Sequence, residues 1–370
     1  MSRRLVISAV NLVEGGTLTV LREFVAAACD TLPPEWDIVV FVHDARLLAP
    51  GRARLIEIRH AKRSWLLRLW TEWVQFSRYA RELQPDLWLS LHDITPNVGQ
   101  VPQAVYCHNP NPFFPLRARD AFFQPKLLAF RLTYWLVYRI NLRRNRAIIV
   151  QQAWLRDEFR TWVGGSARII VAHPRATQLS ERTETHGKLS SGPRTFLYPT
   201  VSRPFKNLEL ICRAVERLEA DSSWCSAVLF TLDGTENRYA RWLKRRFGKL
   251  KTLRFVGRQS PQQMQQLYGQ SDCLLFPSRM ETWGLPITEA QRHHLPMFVA
   301  DLPYAKETVG DYDRVEFIDV DDDQALADDL LAFQQGRFVF TPASMAEPQP
   351  PFVRGWPQLV AALTGAVYRS

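Results

Sequence analysis

The sequence lacks any long apolar run. No segment approaches the roughly 18 uninterrupted apolar residues that a bilayer-spanning helix requires. Its least charged stretch, Ile94–Leu116, carries Pro96, Pro102, Pro110, Pro112 and Pro115, which no spanning helix tolerates. Cysteine is scarce too: Cys29, Cys107, Cys212, Cys225 and Cys273 are odd in number and never spaced C-x-x-C. They read as reduced, buried side chains of a cytosolic protein, with no disulfide frame and no zinc site. The start, Met1-Ser-Arg-Arg-Leu-Val-Ile-Ser-Ala-Val10, has too short an apolar core for a signal peptide and reads as a first buried strand.

What is present is a chain large enough for two cores: 370 residues, 46% apolar, with twelve Trp. The net charge of +10 is unevenly spread. Residues 1–180 hold 24 of the 47 Lys and Arg but only 14 of the 37 Asp and Glu. The remaining 23 of each sign balance in residues 181–370, so the basic excess belongs to the first half.

Strand and helix patterns alternate along the chain. In the first half, Leu5–Val10, Ile38–Val42, Leu87–Leu91, Ala104–Cys107 and Ala147–Val150 read as strands, and Thr19–Thr31 as a helix. Polar, strand-free sequence marks a boundary near 173–194. A second series follows, with strands at Thr195–Tyr198, Ala227–Leu232, Leu253–Val256, Cys273–Phe276, Met297–Val299 and Val315–Ile318. Helices are expected at Leu208–Ala220, Tyr239–Phe247, Pro261–Tyr268 and Pro286–His294. The expected fold is α/β: two facing Rossmann-like, doubly wound domains with a catalytic cleft between them. The first covers residues 1–175 and the second 193–345, and a helix over about 352–370 returns to the first. Such sheets bind ligands beyond the carboxyl ends of their strands. That rule singles out Glu14-Gly15-Gly16, His92 and His108.

The most specific block is Phe276-Pro-Ser-Arg-Met-Glu281-Thr-Trp-Gly-Leu-Pro-Ile-Thr-Glu289. A strand runs into a turn carrying Glu281, Gly284 supplies a permissive backbone, and Pro286 suits a first helical turn. The N–H groups of such a helix start attract anions, and a carboxylate there accepts hydroxyl donors. A diphosphate joined to a sugar fits both. Arg203 and Lys206, in Ser202-Arg-Pro-Phe-Lys-Asn207, follow the first strand of the second series, where two cations can offset a leaving diphosphate. Alone they would be solvated loop charges; on the same sheet edge as Glu281 and Glu289 they gain a role.

Gly15-Gly16, Arg203 with Lys206, and Glu281-x7-Glu289 together resemble the retaining glycosyltransferases of the GT-B fold, family 4 in particular. The likeness runs over nearly the whole chain and is strongest from 195 to 310. It implies that Glu289 binds the ribose of a nucleotide sugar and that Glu281 sits beside the reacting carbon. It further implies that the backbone around Gly284 and Leu285 holds sugar and phosphate oxygens, with Arg203 and Lys206 on the diphosphate. Gly15 and Gly16 would approach the phosphates, and a His of the first domain would contact the donor sugar. His108 is preferred for that place, with His92 as its rival. Ser202 stands where family members often carry Gly, and Pro204-Phe205 stiffens that loop.

The resemblance also implies a metal-independent transfer without cofactor. Asp311-x-Asp313 and the Asp319–Asp323 run read as solvated loop and not as a metal-binding D-x-D. The sugar would be a hexose or deoxyhexose, such as mannose or rhamnose, and the acceptor a lipid-linked glycan of bacterial surface polysaccharide, O-antigen or capsule. GDP, UDP and dTDP donors stay open, and oligomeric state carries no signal.

Leu66, Leu69, Trp70, Trp73, Phe76 and Ala80 recur at helical spacing, ringed by Arg59, Lys62, Arg63, Arg68, Arg78 and Arg81. Residues 117–146 add eight basic residues and many aromatics. Ordinary amphipathic packing covers part of this. The rest suits an anionic membrane surface on the cytoplasmic side. Nucleic-acid binding would also use the charge, but no nucleic-acid-binding signature is present and the neutral second half would go unexplained. A nucleotide-sugar epimerase of similar fold is the other alternative; a silent nucleotide-sugar binder would not need all four charged residues.

Overall fold

The computed structural model describes residues 3–115, 117–164, 167–174 and 191–365. The chain forms two compact units. The first comprises residues 1–113, 131–176 and 348–370, and the second 114–130 and 177–347. Most of the boundary expected at 173–194 lies outside the described residues, as does the last part of the expected C-terminal helix.

The first unit is built on eight strands. They are β1 (Arg3–Ser8), β2 (Trp36–Val42), β3 (Arg54–Glu57), β4 (Leu87–Ser90), β5 (Gln103–Cys107), β6 (Ala147–Val150), β7 (Ile169–His173) and, from the chain's end, Phe352–Arg354. All pair in parallel, in the order Phe352–Arg354, β7, β6, β5, β4, β1, β2, β3. The second unit supplies β8 (Thr195–Tyr198), β9 (Ala227–Phe230), β10 (Leu253–Phe255), β11 (Cys273–Phe276), β12 (Met297–Ala300), β13 (Tyr312–Ile318) and β14 (Thr341–Ala343). Their order is β10-β9-β8-β11-β12-β13-β14, parallel except for the last pair. Counting the final strand as β15, both sheets share one winding: the strand order reverses between β1 and β4, and again between β8 and β11.

Unbroken apolar runs such as Ile38–Val42 and Cys273–Phe276 are fully buried, because helices cover both faces of a parallel sheet. In the first unit α1 (Gly15–Thr31) lies on one face. The interrupted helix α2 (Trp65–Trp70), a π-turn at Thr71–Gln75 and α3 (Phe76–Leu83) follow β3. Next along the chain come α4 (Ala118–Phe123), which falls in the second unit, α5 (Pro125–Arg139), whose residues from Arg131 on belong to the first, and α6 (Ala153–Val163) of the first. The second unit adds α7 (Leu208–Leu218), α8 (Arg238–Phe247), α9 (Pro261–Gln270), α10 (Leu285–Arg292), α11 (Pro303–Val309) and α12 (Asp323–Gln334). The tail begins as strand β15, because Phe352 pairs with Val171, and only then forms α13 (Gly355–Gly365). Trp356 of α13 meets Phe24 of α1 edge-on and donates its indole N–H to Glu23 at 2.8 Å.

Three differences from the sequence reading have physical causes. Residues 114–130 lie within the span assigned to the first domain, yet they belong to the second unit. There Asp120 of α4 is fully buried against Arg279 at 2.8 Å. Cys225 is exposed and Cys29 partly so, whereas Cys107, Cys212 and Cys273 are buried. Most notably, of the apolar face read across this region only Phe76 and Ala80 are fully buried. Arg68, Thr71 and Glu72 are buried, while Trp65, Leu66, Leu67, Trp70 and Val74 are exposed. The π-turn inserts one extra residue per turn and shifts the phase of the side chains.

Candidate active site

In the second unit the candidate residues converge where the strand order reverses. β8 and β11 are neighbours in register, Phe196 opposite Cys273 and Leu197 opposite Leu274, so the loops that leave them share one sheet edge. After β8, Pro204–Lys206 makes a short 3-10 turn with Arg203 at its N-cap. The Lys206 ammonium donates to Glu281 Oε1, and both side chains are largely buried. The aromatic rings of Phe276 and Phe205 lie 5.4 and 5.8 Å from that ammonium. Tyr198 OH donates to the Lys206 carbonyl at 2.5 Å, and the Arg279 amide donates to the Phe205 carbonyl at 2.8 Å. The cationic turn and the carboxylate loop are therefore locked to one another. Arg203 is exposed, and among the described residues its guanidinium has no hydrogen-bond or ion-pair partner. A pre-paired lysine beside an unengaged arginine is an arrangement that receives an anion.

Gly284 caps the start of α10 with φ +81°. A Cβ there would stand 3.3 Å from both Phe276 and Ile287, so backbone conformation and space each require glycine. Leu285, the first helical residue, is exposed. The loop before it is held by Tyr304 OH on the Ser278 carbonyl at 2.6 Å and by Thr308 OH on the Trp283 carbonyl. Glu289, in the second turn of α10, accepts from Tyr268 OH at 2.6 Å. Burial, and next the Glu289 charge, push the Tyr268 phenol well up, so it stays a donor. The two carboxylates thus have different partners: Glu281 a cation, Glu289 a hydroxyl. Ser202, in place of glycine, is buried and donates to Asn237 Oδ1 at 3.0 Å, while Asn237 returns a bond to the Ser202 carbonyl at 2.7 Å.

In the first unit Gly15, Gly16, His92 and His108 follow β1, β4 and β5, again beside the reversal of strand order. Gly15 adopts φ +60° at the start of α1, and a Cβ on it would meet nothing within 4 Å. The two histidines differ sharply. His92 is enclosed, with Nε2 3.2 Å from Glu72 Oε1 and its carbonyl accepting from Arg68 at 3.1 Å. Burial pushes the Glu72 carboxyl up to about 8, against the attraction of Arg68, and pulls the His92 imidazole down. His108 keeps 18% of its side-chain surface and faces Asp93.

Sequence reasoning missed Asp93, Tyr268 and the Asp120–Arg279 pair. Asp93 adjoins His92 in Leu89-Ser-Leu-His-Asp93, and that adjacency was its one sequence signal. The acidic stretches are occupied. Asp321 pairs with Arg117 at 2.5 Å, Asp323 with Arg213 and Arg217 at 2.9 and 2.6 Å, and Asp322 caps α12. Asp311 accepts from the Met345 amide at 3.1 Å. Among the described residues no group of three or more His, Cys, Asp or Glu could hold a metal ion.

Residues 181–338 match the family model described as glycosyl transferases group 1. No curated protein matches the sequence. Among solved structures, a sucrose-phosphate synthase from Thermosynechococcus elongatus superposes with TM-score 0.64 at 16% identity, covering 99% of this chain and 98% of that one. WaaG, a glycosyltransferase involved in lipopolysaccharide biosynthesis, gives 0.61 at 13% identity, covering 99% and 95%. A Listeria monocytogenes protein described as a UDP-N-acetylglucosamine 2-epimerase gives 0.55 at 10% identity, covering 99% and 96%.

Proposed function

We propose that this chain, whose residues 181–338 match the group 1 model and whose fold is that of the structures above, is a retaining GT-B glycosyltransferase using a nucleotide-diphosphate sugar. It transfers one hexose or deoxyhexose, such as mannose or rhamnose, to a lipid-linked glycan of a bacterial surface polysaccharide. The observation that carries this reading is the Lys206–Glu281 pair beside unengaged Arg203, on the edge where β8 meets β11.

In mechanism, Lys206 and Arg203 offset charge as the nucleoside diphosphate departs, which lowers the barrier by electrostatic stabilisation. Glu281 orients Lys206 and faces the reacting carbon. Glu289 takes the ribose hydroxyls, and the backbone at Gly284 and Leu285 takes donor oxygens at the start of α10. The acceptor hydroxyl attacks from the face that the diphosphate leaves, and the departing phosphate receives its proton. Gly15 and Gly16 are assigned to the donor phosphates, although a Cβ on Gly15 would collide with nothing in the protein itself. His108, more open than His92, is the residue of the first unit assigned to the transferred sugar. The proposed transfer uses no metal or cofactor.

A purified-protein assay with GDP-, UDP-, dTDP- and ADP-sugars tests the reading. One nucleotide should raise the melting temperature, and its sugar should pass to a lipid-linked acceptor, undiminished by chelator. Isomerised sugar with no transfer would establish the epimerase instead.

The acceptor class agrees with the outer surface of α2 and the later part of α5. Leu66, Trp70, Leu132, Trp135 and Leu136 are exposed there, and Leu66 keeps 80% of its surface. The Arg139 guanidinium lies 3.7 Å from the Trp135 ring centroid. Basic groups beside an anionic leaflet contribute about 1 kcal/mol each, and Trp suits the headgroup layer. The enzyme is proposed to sit peripherally on the cytoplasmic face of the membrane; no described helix is long and apolar enough to cross it. Sedimentation with anionic vesicles should be strong at low salt and lost on charge reversal at Arg143, Arg144 and Arg146 or on Leu66→Ser with Leu136→Ser. No sedimentation at low salt defeats this assignment.

A further inference from the structure

The turn after β4 is held in an uncommon way. Asp93 sits at φ +71°, a left-handed conformation that side-chain-bearing residues seldom adopt, although Asp tolerates it better than most. Its side chain is almost wholly buried. One carboxylate oxygen, Oδ1, accepts from the His108 amide at 2.7 Å, the Asn109 amide at 3.1 Å and Tyr138 OH at 2.6 Å. The other, Oδ2, faces His108 Nε2 at 3.5 Å. Around it the turn is fastened repeatedly. The Asp93 amide donates to the Tyr106 carbonyl at 3.1 Å, Ser90 OH to the Ile94 carbonyl at 2.7 Å, and Arg68 to the His92 carbonyl at 3.1 Å. Backbone strain persists only where surroundings over-determine it, and it clusters at functional sites.

A buried carboxylate must be satisfied by donors. Here three donors converge on Oδ1, which leaves Oδ2 for the imidazole. A carboxylate is acceptor-only, so it favours the tautomer with the proton on Nε2 and leaves the lone pair of neutral His108 on Nδ1. We infer that Asp93 is a positioning residue: it anchors the β5 end through Oδ1 and sets the tautomer and ring orientation of His108 through Oδ2. The inference rests on the reading that His108 contacts the transferred sugar. The 3.5 Å separation exceeds an ordinary hydrogen bond, and such contacts shorten when substrate is bound.

Asp93→Asn separates the two jobs. Asn tolerates positive φ and keeps an Oδ1 acceptor, but it loses the charge that faces Nε2. The full chain carrying Asp93→Asn should melt near the wild type and bind the nucleoside diphosphate unchanged. Its kcat should fall roughly 10- to 100-fold, the scale of one misplaced group at the reacting sugar, with little change in donor KM. In protein labelled with ¹⁵N-histidine, the His108 ring should report the Nε2–H tautomer in the wild type and lose that bias in the variant. His108→Ala should lose at least as much activity, and the double variant no more than His108→Ala alone. Full activity of His108→Ala would remove the role given to His108, and the inference with it. An inactive His108→Ala beside a fully active Asp93→Asn would overturn the inference alone. Should Asp93→Asn fail to fold, the wild-type spectrum decides, because an Nδ1–H tautomer at His108 overturns the inference without any variant.

Discussion

Glu281→Ala is expected to reduce sugar transfer by about 10²- to 10³-fold, the loss seen when one preorganised electrostatic group is removed, while nucleoside diphosphate still binds. In the folded chain Glu281 holds the Lys206 ammonium against the rings of Phe276 and Phe205. Without the carboxylate the lysine stem gains rotamers, and the cation no longer waits at the leaving phosphate. Binding survives because Arg203, the α10 start and Glu289 remain. Glu289→Ala should show the opposite division: its partner is the hydroxyl donor Tyr268, so donor KM rises more than kcat falls. Steady-state transfer kinetics with nucleotide titration of each variant measures this. Undiminished transfer by Glu281→Ala would remove that residue from the mechanism.

The largest expected stability effect is at Asp120. Its carboxylate is fully buried, and Arg279, 7% exposed, donates to it at 2.8 Å. Asp120→Ala leaves a buried guanidinium without its counter-charge, a loss of about 3–5 kcal/mol. The remaining contacts, Arg279 to the Pro204 carbonyl at 3.3 Å and its guanidinium 5.7 Å from the Phe114 ring centroid, are too weak to offset that. Asp120 also caps its own helix by accepting the Arg117 amide at 2.9 Å, so helix α4 loses an anchor as well. Urea unfolding of the full chain should show the second unit's transition at lower denaturant. A loss below about 1 kcal/mol, the scale of exposed pairs, would mean that the pair is solvated. Arg279 stands two residues before Glu281, so the variant should also lower kcat before it unfolds.

Most strands buried on both faces were legible, although the fully buried β7 was not read. Ala147–Val150, Thr195–Tyr198 and Cys273–Phe276 coincide with β6, β8 and β11 to the residue, because uninterrupted apolar runs have few other uses. Strand β3, Arg-Leu-Ile-Glu at the sheet edge, carries charge at both ends and gave no such signal. Strand β15 exists only through its pairing with β7; three residues beyond a proline link have no strand signature of their own. The α2 region misled for a different reason. Helical spacing reports that apolar residues share a face, not whether that face turns inward, and here the buried cluster of Arg68, Glu72 and His92 claimed the inner side.

The candidate site divides in the same way. Residue types and spacing singled out Glu281, Glu289, Gly284, Arg203 and Lys206 as candidates, because a strand-end loop leading into a helix start has its own local chemistry. Tertiary structure alone decided that Lys206 is bound to Glu281 and Arg203 is not engaged. It also decided that His92 is enclosed while His108 faces Asp93, and that residues 114–130 join the second unit through Asp120. Those choices depend on which groups the fold withdraws from water, and burial sums contacts between residues far apart in the chain.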